Sequence, residues 1–215
     1  AKAVSGTRPE KGADNALSNS QAARVGSVDP RLYDASFPDE PDSKANKCVR
    51  SILERYHESN DKGEVKTQLI FSDTGVNKSE KTGFHLYKDI VDKLVEGGIP
   101  RDQIADFSKM SDKEKPIAID KLKRGEMRVG IGSTQKMGTG VNVQDYLSAI
   151  HHLDIPYRPG DLEQRNGRGY RKGNKNEDID IYNYAAEGSL DELSWQIISR
   201  KSGFINQAIN SRSGR

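Results

Sequence analysis

The sequence contains little cysteine and no long apolar run. Its single cysteine, Cys48, excludes an internal disulfide framework and a zinc site built on cysteines, which is typical of a reducing compartment. No stretch approaches the roughly 20 apolar residues that span a membrane, and the N-terminal residues lack the apolar core of a signal peptide. These absences predict a cytoplasmic protein with no membrane partner.

The sequence also lacks an excess of charge of either sign. Its 34 Lys and Arg residues are matched by 32 Asp and Glu residues, which leaves a net charge of +2. Any contact with nucleic acid must therefore come from a local basic patch and not from a uniformly basic surface.

A phosphate-binding loop for ATP is missing as well. The pattern Gly-x-x-x-x-Gly-Lys-Ser/Thr occurs nowhere in the chain. The acidic run 39–42 imitates a magnesium-binding box, but it does not follow an apolar strand, where such carboxylates lie. We interpret this run as a charged turn and predict no metal-binding residue in the chain.

The strongest functional signal is the segment 164–173, in which Arg168 and Arg171 lie three residues apart among glycines. Arginine keeps its charge and grips phosphate oxygens with a planar fork, while glycine lets the backbone approach a ligand. In a helix, Gln164 would share one face with both arginines, because the three follow the i, i+4, i+7 spacing. The segment predicts a phosphate site, with a solvated basic loop as the alternative for so short a motif.

A second phosphate-binding pattern follows the apolar, strand-like run 127–131. Backbone N–H groups of the turn and the hydroxyls of Ser133 and Thr134 can donate to anions. Gly138 and Gly140 allow backbone conformations that are closed to other residues. A strand that runs into such a turn is a common layout for a phosphate site.

In this order the two segments resemble the fifth and sixth signature motifs of superfamily-two helicases, in particular the Swi/Snf-like DNA translocases. Residues 133–142 match Ser-Thr-x-x-x-Gly-x-Gly-x-Asn, and residues 164–173 match Gln-x-x-Gly-Arg-x-x-Arg-x-Gly. Residues 68–72 are similar to the family's fourth motif, and residues 186–192 are similar to the segment that opens its closing helix. The resemblance extends from about residue 43 to about residue 210.

A narrower resemblance is to the helicase part of large bacterial proteins that join a helicase to an N6-adenine DNA methylase and travel on phages and conjugative elements. It is carried by residues 131–140 and by the sequence His-His-Leu-Asp at 151–154. Gly169 and Tyr170 depart from this group, which more often has two apolar residues there. This difference affects the predicted stability of the helix at 164–171, whereas Arg168 and Arg171 still match the motif.

The resemblance implies an α/β fold, in which a RecA-like parallel sheet is flanked by helices, as in the second lobe of a P-loop NTPase-like motor. The residue pattern agrees, because strand-like runs alternate with helical ones, as in βαβ units. The five strand candidates are 67–72, 103–107, 127–132, 148–153 and 179–184.

The sequence predicts a single domain with an N-terminal extension. Residues 1–42 are expected to form a flexible tail or linker, since the first 30 residues contain no Phe, Trp or Tyr. Residues 43–212 are expected to form the lobe, with a closing helix at 189–210 that Ser189 and Glu192 cap. The apolar residues of this helix, with Trp195 beside them, predict a core or lobe-packing face and not a partner site. These residues are Leu190, Leu193, Ile197, Phe204 and Ala208.

The resemblance also implies roles for single residues at a cleft between two lobes. Arg171 and then Arg168 would contact the ATP phosphates as catalytic arginines, with Gln164 at the cleft. The residues implied to couple the nucleotide site to DNA are Gly138, Gly140 and Asn142. The residues implied to contact the DNA backbone are Ser72, Ser133, Thr134 and Lys136.

The implied cofactor is ATP with Mg²⁺, bound mainly by an N-terminal RecA-like lobe of the same parent protein, and the other implied partner is DNA. An arginine finger needs a nucleotide held by other residues, so the chain alone is expected to hydrolyse ATP poorly or not at all. The alternatives are a non-catalytic nucleic-acid or protein interaction module with this fold, and a nucleotide-sugar transferase lobe. Intact Arg168 and Arg171 disfavour the first, and the ordered pair of motifs disfavours the second.

The histidine pair His151 and His152, followed by Asp154, suggests a metal site at first sight. Adjacent residues of a strand point to opposite faces of the sheet, however, so the two imidazoles cannot easily bind one ion. We therefore expect the pair to end a strand near the cleft.

Overall fold

A computed structural model describes residues 16–137, 142–169 and 173–213. Five strands alternate with helices along these residues. The strands are β1 Thr67–Phe71, β2 Ile104–Asp106, β3 Val129–Gly132, β4 Leu147–His152 and β5 Asp180–Asn183. The helices are α1 Ala16–Val28, α2 Lys44–Asp61, α3 Leu86–Glu96, α4 Glu114–Lys123, α5 Thr134–Met137, α6 Pro159–Asn166 and α7 Asp191–Ser213. None of the described helices is at once long and apolar enough to cross a lipid bilayer.

The strands form one sheet in which every pairing is parallel, in the order β2-β3-β1-β4-β5. All five residues of the central strand β1 are buried, as expected of a parallel sheet that is covered on both faces. The predicted α/β fold is confirmed. Each strand begins and ends within two residues of its predicted limits.

Successive residues of β1 contribute to two separate cores, one on each face of the sheet. Ile70 belongs to a buried cluster with Ile52 of α2 and Ile90 of α3. Leu69 belongs to a second cluster with Leu122 of α4. The period-two alternation of a strand therefore places helices α2 and α3 on one side and α4 on the other.

Local capping signals determine where the first two helices of the lobe begin and end. The hydroxyl of Ser43 accepts a hydrogen bond from the backbone N–H of Asn46 at 3.2 Å, which starts α2. At the end of α3, the N–H of Gly97 donates to the carbonyl of Lys93 at 2.9 Å. Gly98 then adopts a φ of 101°, a left-handed conformation that favours glycine and turns the chain toward β2.

Part of the segment predicted to be a flexible tail folds onto the lobe instead. Val28 and Leu32 are buried members of the cluster that also contains α2 and α3. Asp29 is fully buried and pairs with Arg31 at 2.7 Å, and Arg31 in turn pairs with Asp89 of α3 at 2.9 Å. These contacts attach the described residues of α1 and its following turn to the lobe, whereas residues 1–15 lie outside the described part of the chain.

The closing helix α7 turns a different face to the core than its apolar pattern predicts. Leu190, Leu193 and Ile197 are 68%, 53% and 45% exposed, whereas Trp195 and Ile198 are 7% and 5% exposed. The side chains of the other two predicted face residues, Phe204 and Ala208, lie outside the described residues.

A polar contact explains why α7 is rotated about its axis relative to the predicted orientation. Asp191, its first residue, accepts a hydrogen bond from the buried ammonium group of Lys44 at 2.6 Å. This contact turns the face of residues 191, 195 and 198 inward. Ser189 accepts from the N–H of Asp191 at 3.1 Å, and Glu192 is exposed. The hydroxyl of Ser189 thus caps the helix as predicted, whereas the N–H of Ser189 donates to the carbonyl oxygen of Ala186 at 3.3 Å and leaves Glu192 without the predicted capping role.

The two neighbouring isoleucines of α7 offer a direct check of this rotation. We expect Ile198→Ala to lower the free energy of unfolding by about 2 kcal/mol or more, because it leaves a cavity beside Trp195. Ile197→Ala should change it by less than about 0.5 kcal/mol, since an exposed side chain loses little on truncation. Urea denaturation of both variants measures the difference. A larger effect at Ile197 than at Ile198 would contradict the rotation.

Candidate functional site

The carboxyl ends of β1, β3 and β4 bring three polar turns together at one edge of the sheet. Phe71, the last residue of β1, is in register with Gly132 of β3 and with His152 of β4. The turns that follow therefore start level with one another. They carry Asp73, Thr134 and Asp154, respectively.

Arg165 of α6 occupies the space between these turns and is fully buried. Its Nε donates to the hydroxyl of Thr134 at 2.8 Å, and its Nη1 donates to the carbonyl oxygen of Asp154 at 2.9 Å. Its Nη2 donates to the carboxylates of Asp73 at 2.8 Å and of Asp154 at 3.1 Å. We call these four residues the Arg165 network.

The two carboxylates of the Arg165 network also accept hydrogen bonds from the turns themselves. One oxygen of Asp154 accepts from the backbone N–H groups of Asp73 at 2.7 Å and Thr74 at 2.8 Å. Asp73 accepts from the N–H of Thr134 at 2.7 Å and from its hydroxyl at 2.8 Å. The network thus ties the turns after β1, β3 and β4 to α6.

The predicted phosphate residues begin beside Arg165. Helix α6 ends at Asn166, with Gly167 as its C-cap, so Arg168 lies in the turn beyond the helix. Arg168 is 6% exposed, and its Nε donates to the carbonyl oxygen of Gln164 at 3.3 Å. Gln164 is half-buried, and Arg171 lies outside the described residues.

Two of the predicted DNA-contacting hydroxyls are engaged inside the lobe. Ser72 is fully buried, and its hydroxyl donates to the carbonyl oxygen of Thr74 at 2.8 Å. The hydroxyl of Thr134 is shared between Asp73 and Arg165. In this structure both hydroxyls shape the turns and are not presented to a phosphate, which differs from the role predicted for them.

The other predicted residues of the second motif differ in exposure, and Ser133 is as buried as Thr134, each at 8% exposure. The hydroxyl of Ser133 accepts from the N–H of Lys136 at 3.2 Å and starts the short helix α5. Lys136 and Asn142 are exposed, whereas Gly138 and Gly140 lie outside the described residues.

A family model described as the helicase conserved C-terminal domain matches residues 49–173, more than half of the chain. The chain belongs to this family. Defense against restriction protein B of Escherichia phage P1 is 35% identical over 77 residues, which are 36% of this chain and 3% of that protein. The uncharacterized ATP-dependent helicase YqhH of Bacillus subtilis is 35% identical over 80 residues, which are 37% of this chain and 14% of that protein. The chain thus spans a small part of either relative.

Solved structures agree with this fold of a helicase C-terminal domain. The C-terminal part of the Fun30 ATPase domain superposes with a TM-score of 0.53 at 19% identity, over 74% of this chain and 46% of that one. Dbp5 of S. cerevisiae, solved with RNA and ADP BeF3, superposes with a TM-score of 0.52 at 19% identity, over 74% of this chain and 37% of that one.

The two neighbouring histidines of β4 point to opposite faces of the sheet in this helicase C-terminal domain, because successive side chains of a strand alternate between the two faces. His151 stacks on Tyr182 with ring centroids 4.7 Å apart. His152 lies 2.8 Å from the side-chain oxygen of Asn166 in α6. Burial lowers the pKa of each imidazole from 6.5 to about 3, and a nearby cation contributes to the shift, Arg55 for His151 and Arg165 for His152. Both histidines are therefore neutral in the folded domain at physiological pH.

The described residues of the helicase C-terminal domain hold one group of carboxylates close enough to share a cation. It consists of Asp29, Asp39 and Asp89. Arg31 and Lys93 already offset two of its three negative charges through ion pairs of 2.6 to 2.9 Å. Asp39 thus takes part in a structural ion-pair cluster that fastens the N-terminal segment to α3.

Sequence reasoning missed the residue at the centre of the site. Arg165 stands inside the basic segment, but the helical face that was considered contained only Gln164, Arg168 and Arg171. Its acidic partners Asp73 and Asp154 each follow the end of a buried strand. An acid two residues after each of two neighbouring parallel strands is the sequence signal for the network, because such residues meet at one edge of the sheet.

The buried histidines predict that acid destabilises this helicase C-terminal domain well above the pH at which carboxylates titrate. Below pH 6.5 the unfolded chain binds protons that the folded domain excludes until about pH 3. Stability should therefore fall with pH, by up to about 1.4 kcal/mol per pH unit for each histidine. Urea denaturation of the wild type and His152→Gln between pH 7 and 5 measures the share of His152. Parallel stability curves for the two proteins would contradict this prediction.

Proposed function

We propose that the chain is the second motor lobe of an ATP-dependent DNA helicase or translocase and supplies arginine-finger and DNA-backbone contacts. The observation that carries the proposal is the hydrogen bond of 2.8 Å between Arg165 and Thr134. It joins the two motif segments at one edge of the sheet, through two residues that are 31 positions apart in sequence. A nucleotide and a nucleic acid bound at this edge would contact a single continuous structure.

The segment after α6 has the donors that a nucleotide phosphate needs. Arg171 and Arg168 would neutralise charge on the transferred phosphoryl group, and Gln164 would lie at the cleft. Of the two arginines, Arg171 is the stronger candidate for the phosphate contact, because Arg168 is largely buried in the lobe. ATP with Mg²⁺ would be held mainly by an N-terminal RecA-like lobe, because this sequence has no phosphate loop.

The segment after β3 has the chemistry of a nucleic-acid backbone site. Exposed Lys136, together with Ser133, would contact DNA phosphates, and Gly138, Gly140 and Asn142 would couple this contact to the nucleotide site. Such contacts do not depend on base sequence, as a motor that steps along any duplex requires.

We also propose that the parent protein belongs to a bacterial mobile element. The similarity to a phage P1 protein supports this proposal. The matched residues cover only 3% of that protein, so this relative is a long protein carried by a phage. The motif 131–140 and the sequence at 151–154 support the same assignment.

The arginine role is tested in a protein in which a first lobe accompanies this chain. We expect Arg171→Ala to lower the kcat of DNA-stimulated ATP hydrolysis by roughly 1,000-fold, because the transition-state charge loses its partner. ATP affinity should be retained.

The matched control for this test is Arg101→Ala, which removes an exposed arginine just before β2, at the opposite edge of the sheet. Equal activity of Arg171→Ala and the control would remove Arg171 from the mechanism. DNA binding without ATP hydrolysis in the wild type would favour a non-catalytic interaction module.

Nucleic-acid binding through backbone contacts predicts a steep dependence on salt. The logarithm of the association constant should fall linearly with the logarithm of salt concentration, by about 0.9 for each phosphate contacted. We expect Lys136→Ala to reduce this slope by about one, whereas Lys62→Ala, at the exposed end of α2, should leave it unchanged. Fluorescence anisotropy with labelled duplex DNA measures both slopes. A flat salt response of the wild type would count against the backbone contacts.

A further inference from the structure

Arg165 has an unusual position for a charged residue. It is fully buried, yet it follows Gln164 directly and precedes Arg168 by three residues in the segment that we assign to the nucleotide. Helix α6 has eight residues, and Arg165 lies in its last turn. The contacts of Arg165 therefore fix the last turn of α6, which leads directly to Arg168.

The geometry of the network requires a guanidinium group. Arg165 makes four N–H···O hydrogen bonds with three residues, which approach it from the ends of three different strands. A planar fork with donors on three nitrogens can satisfy acceptors in several directions at once, whereas an ammonium group acts as a single point charge. Lysine at this position would keep the charge and lose most of the directed contacts.

We propose that Arg165 is a positioning residue. It holds the end of α6 in a fixed relation to the turns after β1, β3 and β4, so that the segments 133–137 and 164–169 meet their ligands together. The catalytic consequence rests on the proposed function. The positioning itself is a property of this lobe and can be measured without ATP.

The chain offers a matched control in Arg128. It is also buried, at 7% exposure. It donates to the carbonyl oxygen of Lys66 at 2.7 Å, to the side chain of Asn60 at 3.0 Å and to the hydroxyl of Ser59 at 2.8 Å. It precedes β3 and therefore lies at the amino edge of the sheet, away from the Arg165 network. A change to lysine disturbs a buried guanidinium at either edge, but only Arg165→Lys disturbs the proposed site.

The first experiment measures amide hydrogen exchange in this chain. The N–H groups of Asp73, Thr74 and Thr134 donate to the carboxylates that Arg165 holds. In Arg165→Lys we expect these three amides to exchange on the order of tenfold faster or more, relative to the amides of α3. In Arg128→Lys the three amides should keep their wild-type exchange relative to α3. Unchanged exchange at the three amides in Arg165→Lys, or equal acceleration throughout the lobe, would overturn the proposal.

A second pair of variants keeps the test decisive if Arg165→Lys does not fold. Thr134→Val removes the hydroxyl that links Arg165 to Asp73 and preserves the shape of the side chain, whereas Thr134→Ser retains the hydroxyl. We expect faster exchange at Asp73 and Thr74 in the valine variant and near wild-type exchange in the serine variant. Identical exchange in both variants would overturn the proposal.

The second experiment measures DNA-stimulated ATP hydrolysis in the protein that also has a first lobe. We expect Arg165→Lys to lower kcat by about 10- to 100-fold with little change in KM for ATP, because misplaced catalytic groups lose rate before they lose binding. Arg128→Lys should leave kcat within about twofold. Equal loss in both variants would reduce Arg165 to a general structural role. An inactive wild type would refute the proposed function, and hydrogen exchange would still decide the positioning role.

Discussion

The parallel pairing of β1 with β3 and β4 is the constraint on which the site depends. Because the three strands run in one direction and end in register at Phe71, Gly132 and His152, their turns open at the same level. One side chain from α6 can then reach all three turns. An antiparallel neighbour would have placed one of the turns at the opposite edge, beyond the reach of Arg165.

What the sequence reveals of this fold depends on how local each signal is. The strands and the start of α2 at Ser43 follow from apolar runs and a capping residue, which are features of a few neighbouring residues. The inward face of α7 depends on Lys44, which is 147 residues from its partner Asp191. The centre of the site likewise depends on a contact between Arg165 and Asp73 across 92 residues. Apolar periodicity does not report such polar pairs, so it identifies neither the face of α7 that packs on this core nor the role of Arg165.

Three buried cations show how this lobe combines charge with a compact core. Arg165, Arg128 and Lys44 are at most 7% exposed, and each donates to oxygen acceptors from distant parts of the chain. Removing a charge from water costs several kcal/mol, which its partners offset only when the geometry is good. Such residues therefore contribute less to net stability than to the choice of one arrangement among several that apolar packing alone would allow. In this lobe the arrangement that they select includes the turns of the candidate site.

The strand β5 lies beyond the segment 49–173 that defines the family, yet it pairs along β4 from Ala149 to His152. A fragment trimmed to the family limits would leave β4 as an outer strand with an unpaired row of backbone donors and acceptors. Strands of this kind recruit other chains and begin aggregation. Trp195, which covers His152, would be lost with the same cut. The smallest piece of this protein in which β4 keeps a neighbour on both sides is therefore larger than the piece that sequence similarity recognises.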